Sequence, residues 1–236
     1  MNLRERLRGN GASAYITHML AKSEAPPRGT VYGTLLNFRG ALAALGESVS
    51  MPPLKAPPKA PILYIKPRNT FAANGDAVLL PEGVEALEFG ASLALVIGRT
   101  ACRVAERDAL DVLAGYAIAN DVSVPHLPYY RPSLRFKCRD GFCPIGEFVA
   151  RAAVSDPDAL AITVEVDGEV VQRGHTSTLI RSVAKLLADV TEFMTLSRGD
   201  LLLIGVPENA PRLRAGQRAT IRIDGIGELC NHVVAA

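Results

Sequence analysis

Between an apolar strand ending at Asn120-Asp121 and a second strand leaving through Phe142-Cys143-Pro144, the chain concentrates polar chemistry. Tyr129 and Tyr130 are followed by four cations, Arg131, Arg135, Lys137 and Arg139, and by Asp140. Cations and a carboxylate gathered between two strands suit a site that grips a small anion and stabilises negative charge as it develops. Lys137 and Arg139 alternate about Cys138, so as strand residues they would share one face. Lys66 and Arg68 add two cations around Pro67, at the end of an earlier apolar run. Each residue also has a plainer role. Asp121 after Asn120 suits a turn stabilised by side-chain hydrogen bonds as well as it suits ligation. Arg68 can cap its strand, Tyr129 and Tyr130 can pack the loop, and a basic loop can simply be solvated. His126 and His175 fit surface or turn positions better than acid–base roles.

The elements that must hold these residues are mostly strands. Ile62–Ile65, Ala77–Leu80, Leu93–Ile97, Gly115–Ala119 and Glu147–Ala150 are short and apolar, and turn residues separate them. Tyr32–Leu36 forms an earlier strand and Arg39–Leu45 a short helix. Ile162–Val166 and Glu169–Gln172 flank Asp167-Gly168, a strong two-residue hairpin signal. A later hairpin is expected across Ala219–Ile223 and Glu228–Val234. Leu179, Ile180, Val183, Leu186, Leu187, Val190, Phe193 and Met194 recur at helical spacing, with Thr176 or Ser177 as the N-cap. That stripe is core packing. The five prolines between Met51 and Pro61 predict a stiff, extended connection. Regular βαβ alternation is missing, which argues against a doubly wound nucleotide fold.

Composition narrows the function classes. A chain of 236 residues, 48% hydrophobic and 21% charged, can bury one large core. A net charge of +2 is too small to argue for nucleic acid or an anionic membrane as partner. No apolar run approaches the roughly 20 residues of a membrane helix, and Met1–Leu20 lacks a secretory apolar centre. The expectation is a cytoplasmic protein. Cys102, Cys138, Cys143 and Cys230 form no C-x-x-C pair, so buried free thiols are expected rather than zinc or disulfides. Cys138 and Cys143 flank the polar loop and would be reactive if Lys137 or Arg139 lowered a thiol pKa.

Several ordered segments together carry a resemblance. They are Gly33-Thr34-Leu35-Leu36-Asn37-Phe38-Arg39, Tyr64-Ile65-Lys66-Pro67-Arg68-Asn69-Thr70, the run Gly90 to Gly98, the loop from Asp121, Phe193 to Asp200, and Gly205-Val206-Pro207. In this order they resemble the fumarylacetoacetate hydrolase family over roughly residues 30–234. Within it they are most similar to the amino-terminal half of isomerase/decarboxylases of 4-hydroxyphenylacetate breakdown. The resemblance implies an α+β, strand-rich fold: the mixed β-sandwich-like roll of the family's C-terminal domain, with few helices. It divides the chain into an extension, 1–29 (a helix over 2–22, then a Pro-rich linker), and one domain, 30–236.

The resemblance also implies chemistry on small oxo acids, assisted by magnesium held on a Glu-x-Glu pair and an aspartate. Here Gly90 and Ser92 stand at the two glutamate positions and Asp121 at the aspartate. Glu88 is a weak substitute two residues upstream, and a well-occupied magnesium site is not expected. The family's early histidine is Ala41. Lys137 and Asp140 are the expected catalytic residues, with Lys66, Arg68, Tyr130 and Arg139 on substrate. The implied function is a subunit acting on 5-oxopent-3-ene-1,2,5-tricarboxylate and 2-hydroxyhepta-2,4-diene-1,7-dioate. It would be a homodimer, or a heterodimer with a metal-bearing paralogue. Two alternatives stay open: an acylpyruvate or diketo-acid hydrolase with Glu88 recruited as ligand, and a non-catalytic partner of the paralogue.

Overall fold

Leu201–Leu203 and Ala91–Ile97 are apolar without alternation, the pattern of strands covered on both faces, and both lie inside a six-stranded sheet. The computed structural model describes residues 29–52, 54–126 and 133–236. The expected helix over 2–22 and the loop residues Tyr129, Tyr130 and Arg131 lie outside the described residues.

In chain order the strands are β1 (Val31–Leu35), β2 (Ile62–Lys66), β3 (Phe71–Ala72), β4 (Ala77–Leu80) and β5 (Leu87–Glu88). Next come β6 (Ala91–Ile97), β7 (Leu113–Asn120), β8 (Cys143–Pro144), β9 (Val149–Ala150) and β10 (Ala161–Val166). The last are β11 (Glu169–His175), β12 (Leu201–Leu203), β13 (Arg212–Leu213), β14 (Arg218–Ile223) and β15 (Gly227–Ala235). Beside two small ladders, β13-β5 and β3-β8, the two main sheets run β2-β1-β12-β6-β7-β9 and β11-β10-β14-β15-β4. Each has one parallel pair, β1 with β12 and β15 with β4, among antiparallel neighbours. The expected hairpin turn sits between β10 and β11. Asp167 and Gly168 both take positive φ, 52° and 92°, as a type I′ turn demands.

The alternation of β6 and β7 sorts their side chains into two environments. Leu93, Leu95, Ile97, Tyr116 and Ile118 enter the main core with Ile162, Val164, Ile221, Leu229 and Val233 of the second sheet. The opposite face carries small side chains: Ala94, Ala117 and Ala119, with Val31, Leu201, Leu203, Cys143 and Ile145. By register that face also includes Gly33, Tyr64 and Lys66 from the β1–β2 pair. Small residues leave room there for longer polar ones.

Among the described residues the α-helices are α1 (Arg39–Ala43), α2 (Leu134–Lys137) and α3 (Val183–Phe193). α3 buries Val183, Leu186, Leu187 and Val190 in the main core, as its spacing predicts, whereas Phe193 at its end, expected in the same stripe, is exposed. It starts later than expected. Ser182, not Thr176 or Ser177, is the N-cap, its hydroxyl accepting from Lys185 N at 3.2 Å. The physical cause is Asn37. Its carbonyl accepts from Ile180 N (2.7 Å) and its Oδ1 from Arg181 N (3.0 Å). Its Nδ2 donates to Arg181 O and Ile204 O. Residues 180–181 give their amides to this buried asparagine, so the helix cannot begin before them.

Candidate functional site

Four side chains meet where the small-residue face reaches the strand ends. Tyr64 and Lys66 stand two apart on β2 and so share a face. Asp121 follows the last residue of β7, and Lys137 closes the single turn of α2. That turn forms because Ser133 O accepts from both Phe136 N and Lys137 N, and Leu134 O accepts from Cys138 N.

Lys66 is fully buried. Its Nζ donates to Val122 O at 2.7 Å, Lys137 O at 2.9 Å and Phe142 O at 2.8 Å. Three acceptors occupy three N–H donors, which only the ammonium form possesses. The same nitrogen lies 2.8 Å from Asp121 Oδ1 as an ion pair. Asp121 Oδ2 accepts from Lys137 Nζ at 2.6 Å and from the Tyr64 hydroxyl. Lys137 Nζ also lies 4.6 Å from the centre of the Tyr64 ring, within cation–π range.

These neighbours decide the charges. Burial alone pushes the Asp121 carboxyl up, but Lys137 and Lys66 outweigh it and hold the group well below the usual carboxylate range. Burial pushes the Tyr64 phenol well up, and the Asp121 charge and hydrogen bond act in the same direction. Tyr64 is thus a neutral donor at physiological pH. Burial pulls Lys66 down, with Lys137 adding to the effect and Asp121 opposing it.

The other expected residues lie elsewhere. The shared strand face for Lys137 and Arg139 is corrected: residues 134–137 are helical, and a helix turns about 100° per residue. Lys137 is consequently buried, while Arg139 turns back to donate to Arg135 O at 3.1 Å. Asp140 is exposed and accepts from Asn69 Nδ2 at 2.7 Å, outside the cluster. Arg68 is exposed on the turn after β2. Tyr130 lies outside the described residues. Of the four thiols only Cys143 is buried. Burial pushes the Cys138 thiol up despite Lys66 and Lys137, against the reactivity suggested by its neighbours.

Sequence reasoning passed over Tyr64. Its signal was the spacing Tyr64-x-Lys66 on a strand, together with Gly33 opposite. A Cβ at Gly33 would fall 2.0–2.4 Å from the Tyr64 ring, so only glycine lets the ring lie flat on β1. Gly33→Ala is expected to push the ring away, break the phenol–Asp121 bond and cost about 1–3 kcal/mol of stability. Thermal unfolding checks this: an unchanged melting temperature would mean the ring has room to move.

A strand-rich, two-sheet domain with this cluster at its strand ends falls into a known class. The profile of the Fumarylacetoacetate (FAA) hydrolase C-terminal family matches residues 30–234, and the chain belongs to that family. It is 45% identical over 208 residues to the 4-hydroxyphenylacetate degradation bifunctional isomerase/decarboxylase of Salmonella dublin, covering 88% of this chain and 48% of the relative. It is 36% identical over 179 residues to a mitochondrial oxaloacetate tautomerase of Arabidopsis thaliana, covering 74% and 80%. The crystal structure of fumarylpyruvate hydrolase from Pseudomonas aeruginosa, in complex with Mn2+ and pyruvate, superposes with a TM-score of 0.79 at 27% identity. That match covers 91% of this chain and 93% of the hydrolase. The chain spans about half the length of the bifunctional relatives it matches. Among the described residues no helix is long and apolar enough to cross a membrane.

The donors present do not suit a divalent ion. Gly90 offers no side chain, and a Cβ there would meet Val206 Cγ2 at 2.7 Å and Asp121 O at 2.9 Å. The buried Ser92 hydroxyl points to Leu93 O at 3.4 Å. Glu88 faces Arg212, 4.0 Å away across the β5–β13 pair. Among the described residues no three His, Cys, Asp or Glu side chains converge. One carboxylate already held by two lysines and a phenol leaves Mg2+ or Mn2+ short of hard oxygen ligands.

Proposed function

We propose that this chain is an isomerase/decarboxylase subunit acting on 5-oxopent-3-ene-1,2,5-tricarboxylate and 2-hydroxyhepta-2,4-diene-1,7-dioate in 4-hydroxyphenylacetate catabolism. The observation that carries the proposal is the buried Lys66–Asp121–Lys137 cluster, two cations on one carboxylate, in a chain 45% identical to a bifunctional isomerase/decarboxylase. Its fixed charge suits the reaction. Decarboxylation breaks the bond to a carboxylate carbon, releases CO2 and leaves the electron pair as an enolate. Isomerisation passes through a similar dienolate before a proton is returned to carbon. Lys137, at the outer edge of the cluster, would hold the developing oxyanion. Lys66 would keep Asp121 ionised and Lys137 in place.

A paired arrangement fits the same facts. The donors of this chain do not suit a divalent ion, so a metal-bearing paralogue is the proposed partner and supplies the other half-reaction. Glu88, held toward Arg212, gives no support to the diketo-acid hydrolase alternative. The test is turnover of the tricarboxylate by the full chain, alone and co-expressed with its paralogue, followed by CO2 release and diene absorbance. Conversion by either preparation is expected. Absence of both reactions in both preparations would overturn the assignment.

A further inference from the structure

The cluster carries one carboxylate and two ammonium groups, hence an excess positive charge with no ion added. Asp121 faces those cations with both oxygens, Lys66 at 2.8 Å from Oδ1 and Lys137 at 2.6 Å from Oδ2, and Tyr64 adds a hydroxyl on Oδ2. A divalent ion approaching either oxygen would meet the like charge of an ammonium already beside it, and Lys66 cannot withdraw without abandoning three backbone carbonyls. The residues that stand beside Asp121 cannot compensate. Gly90 is packed against Val206 and the Asp121 backbone, and Ser92 offers a single buried hydroxyl. Lys137, by contrast, has three N–H donors, and among the described residues its ammonium gives one, to Asp121. It also has the largest exposure of the trio, 7% for its side chain against 0% for Lys66 and 2% for Asp121.

We propose that Asp121 in this chain is the counter-ion of two lysines and not a metal ligand, so that the site binds the carboxylate of a 2-oxo acid through Lys137 without a divalent ion. Tyr64 is the positioning residue: its hydroxyl fixes Oδ2, and its ring, seated on Gly33, supports the Lys137 ammonium from the side. The inference rests on the proposed function only in taking the ligand to be an oxo acid.

Two measurements on the purified full chain test it. The first titrates Mn2+ and follows the free ion by electron paramagnetic resonance; no stoichiometric bound fraction is expected. The second measures pyruvate binding by calorimetry in EDTA and in millimolar Mn2+. An ion that does not occupy the site cannot alter the affinity, so the two values should agree within about twofold. Lys137→Gln, which keeps a shorter, neutral amide near Asp121, is expected to weaken pyruvate about tenfold or more in a chain whose urea unfolding stays cooperative. One tight equivalent of Mn2+, a pyruvate affinity that needs the ion, or no pyruvate binding in either buffer would each overturn the inference. Turnover is read separately. A chain that binds pyruvate without metal but converts no tricarboxylate would sink the proposed reaction and leave this inference standing.

Discussion

Replacing Lys66 by methionine is expected to lower folding stability by about 3–5 kcal/mol, the cost of removing one partner from a buried ion pair. Methionine matches the side chain up to the terminal ammonium, so most of the loss measures polar bonding rather than a large cavity. Four groups lose a donor together. Asp121 keeps only Lys137 and Tyr64, the Phe142 carbonyl keeps only the Val122 amide, and the carbonyls of Val122 and Lys137 lose the donor that now satisfies them. Those carbonyls belong to the end of β7, to α2 and to the lead into β8, so one ammonium ties three separate stretches to β2. Domains of this kind have total stabilities of about 5–15 kcal/mol, and a loss of this size approaches global unfolding. Urea unfolding should show a much lower midpoint at an unchanged slope. A midpoint close to that of the wild type would mean that the three carbonyls find other partners and that Lys66 is not the tie.

This dependence explains which parts of the site could be foreseen. Lys66, Asp121 and Lys137 stand out in the chain because charged residues at the ends of apolar strands are costly unless they meet. What the spacing could not reveal is the backbone between them. The run from Arg135 to Arg139 alternates in charge as a strand would, yet Ser133 O captures two amides and winds it into a turn. That single local bond pattern buries Lys137 and sends Arg139 outward. Tyr64 was hidden for another reason. A tyrosine beside isoleucine and leucine looks like strand packing, and only pairing with Gly33 shows that its hydroxyl can travel to Asp121.

The fold was legible to a similar depth. Most strands with turn residues at both ends emerged within a residue or two of their actual limits, because two-residue periodicity and glycine or proline punctuation are local properties, though β11 runs three residues past the expected Gln172 to His175. The start of α3 did not, since it is set by Asn37, more than a hundred residues away in sequence. The isolated 3-10 segment Glu106–Val112, which packs against α3, has no periodic pattern of its own to announce it. Long-range capture of backbone amides leaves little trace in a window of neighbouring residues.

Lys137→Met is the substitution with the largest expected effect on turnover. Removing one preorganised donor from a developing oxyanion lowers kcat by about 10²–10³-fold, and the proposed function assigns that donor to Lys137. The effect on stability should be smaller than for Lys66. Lys137 makes one side-chain hydrogen bond, to Asp121, whereas Lys66 satisfies three carbonyls, and Asp121 would keep its Lys66 neighbour and its Tyr64 bond. The two lysines therefore separate by readout: Lys66→Met shifts the urea midpoint, and Lys137→Met shifts kcat/KM in a protein that still unfolds cooperatively. Lys137→Arg sharpens the distinction. It keeps the charge but replaces a point ammonium with a wider planar fork that cannot stand in the same place against Asp121 and the Tyr64 ring. Partial recovery of turnover by the arginine variant is expected if charge dominates, with the remaining deficit reporting position. The measurement is made on the complex with the paralogue, with the variant in this chain alone. Wild-type turnover by the methionine variant would remove Lys137 from the chemistry and leave the cluster a structural tie between β2, β7 and α2.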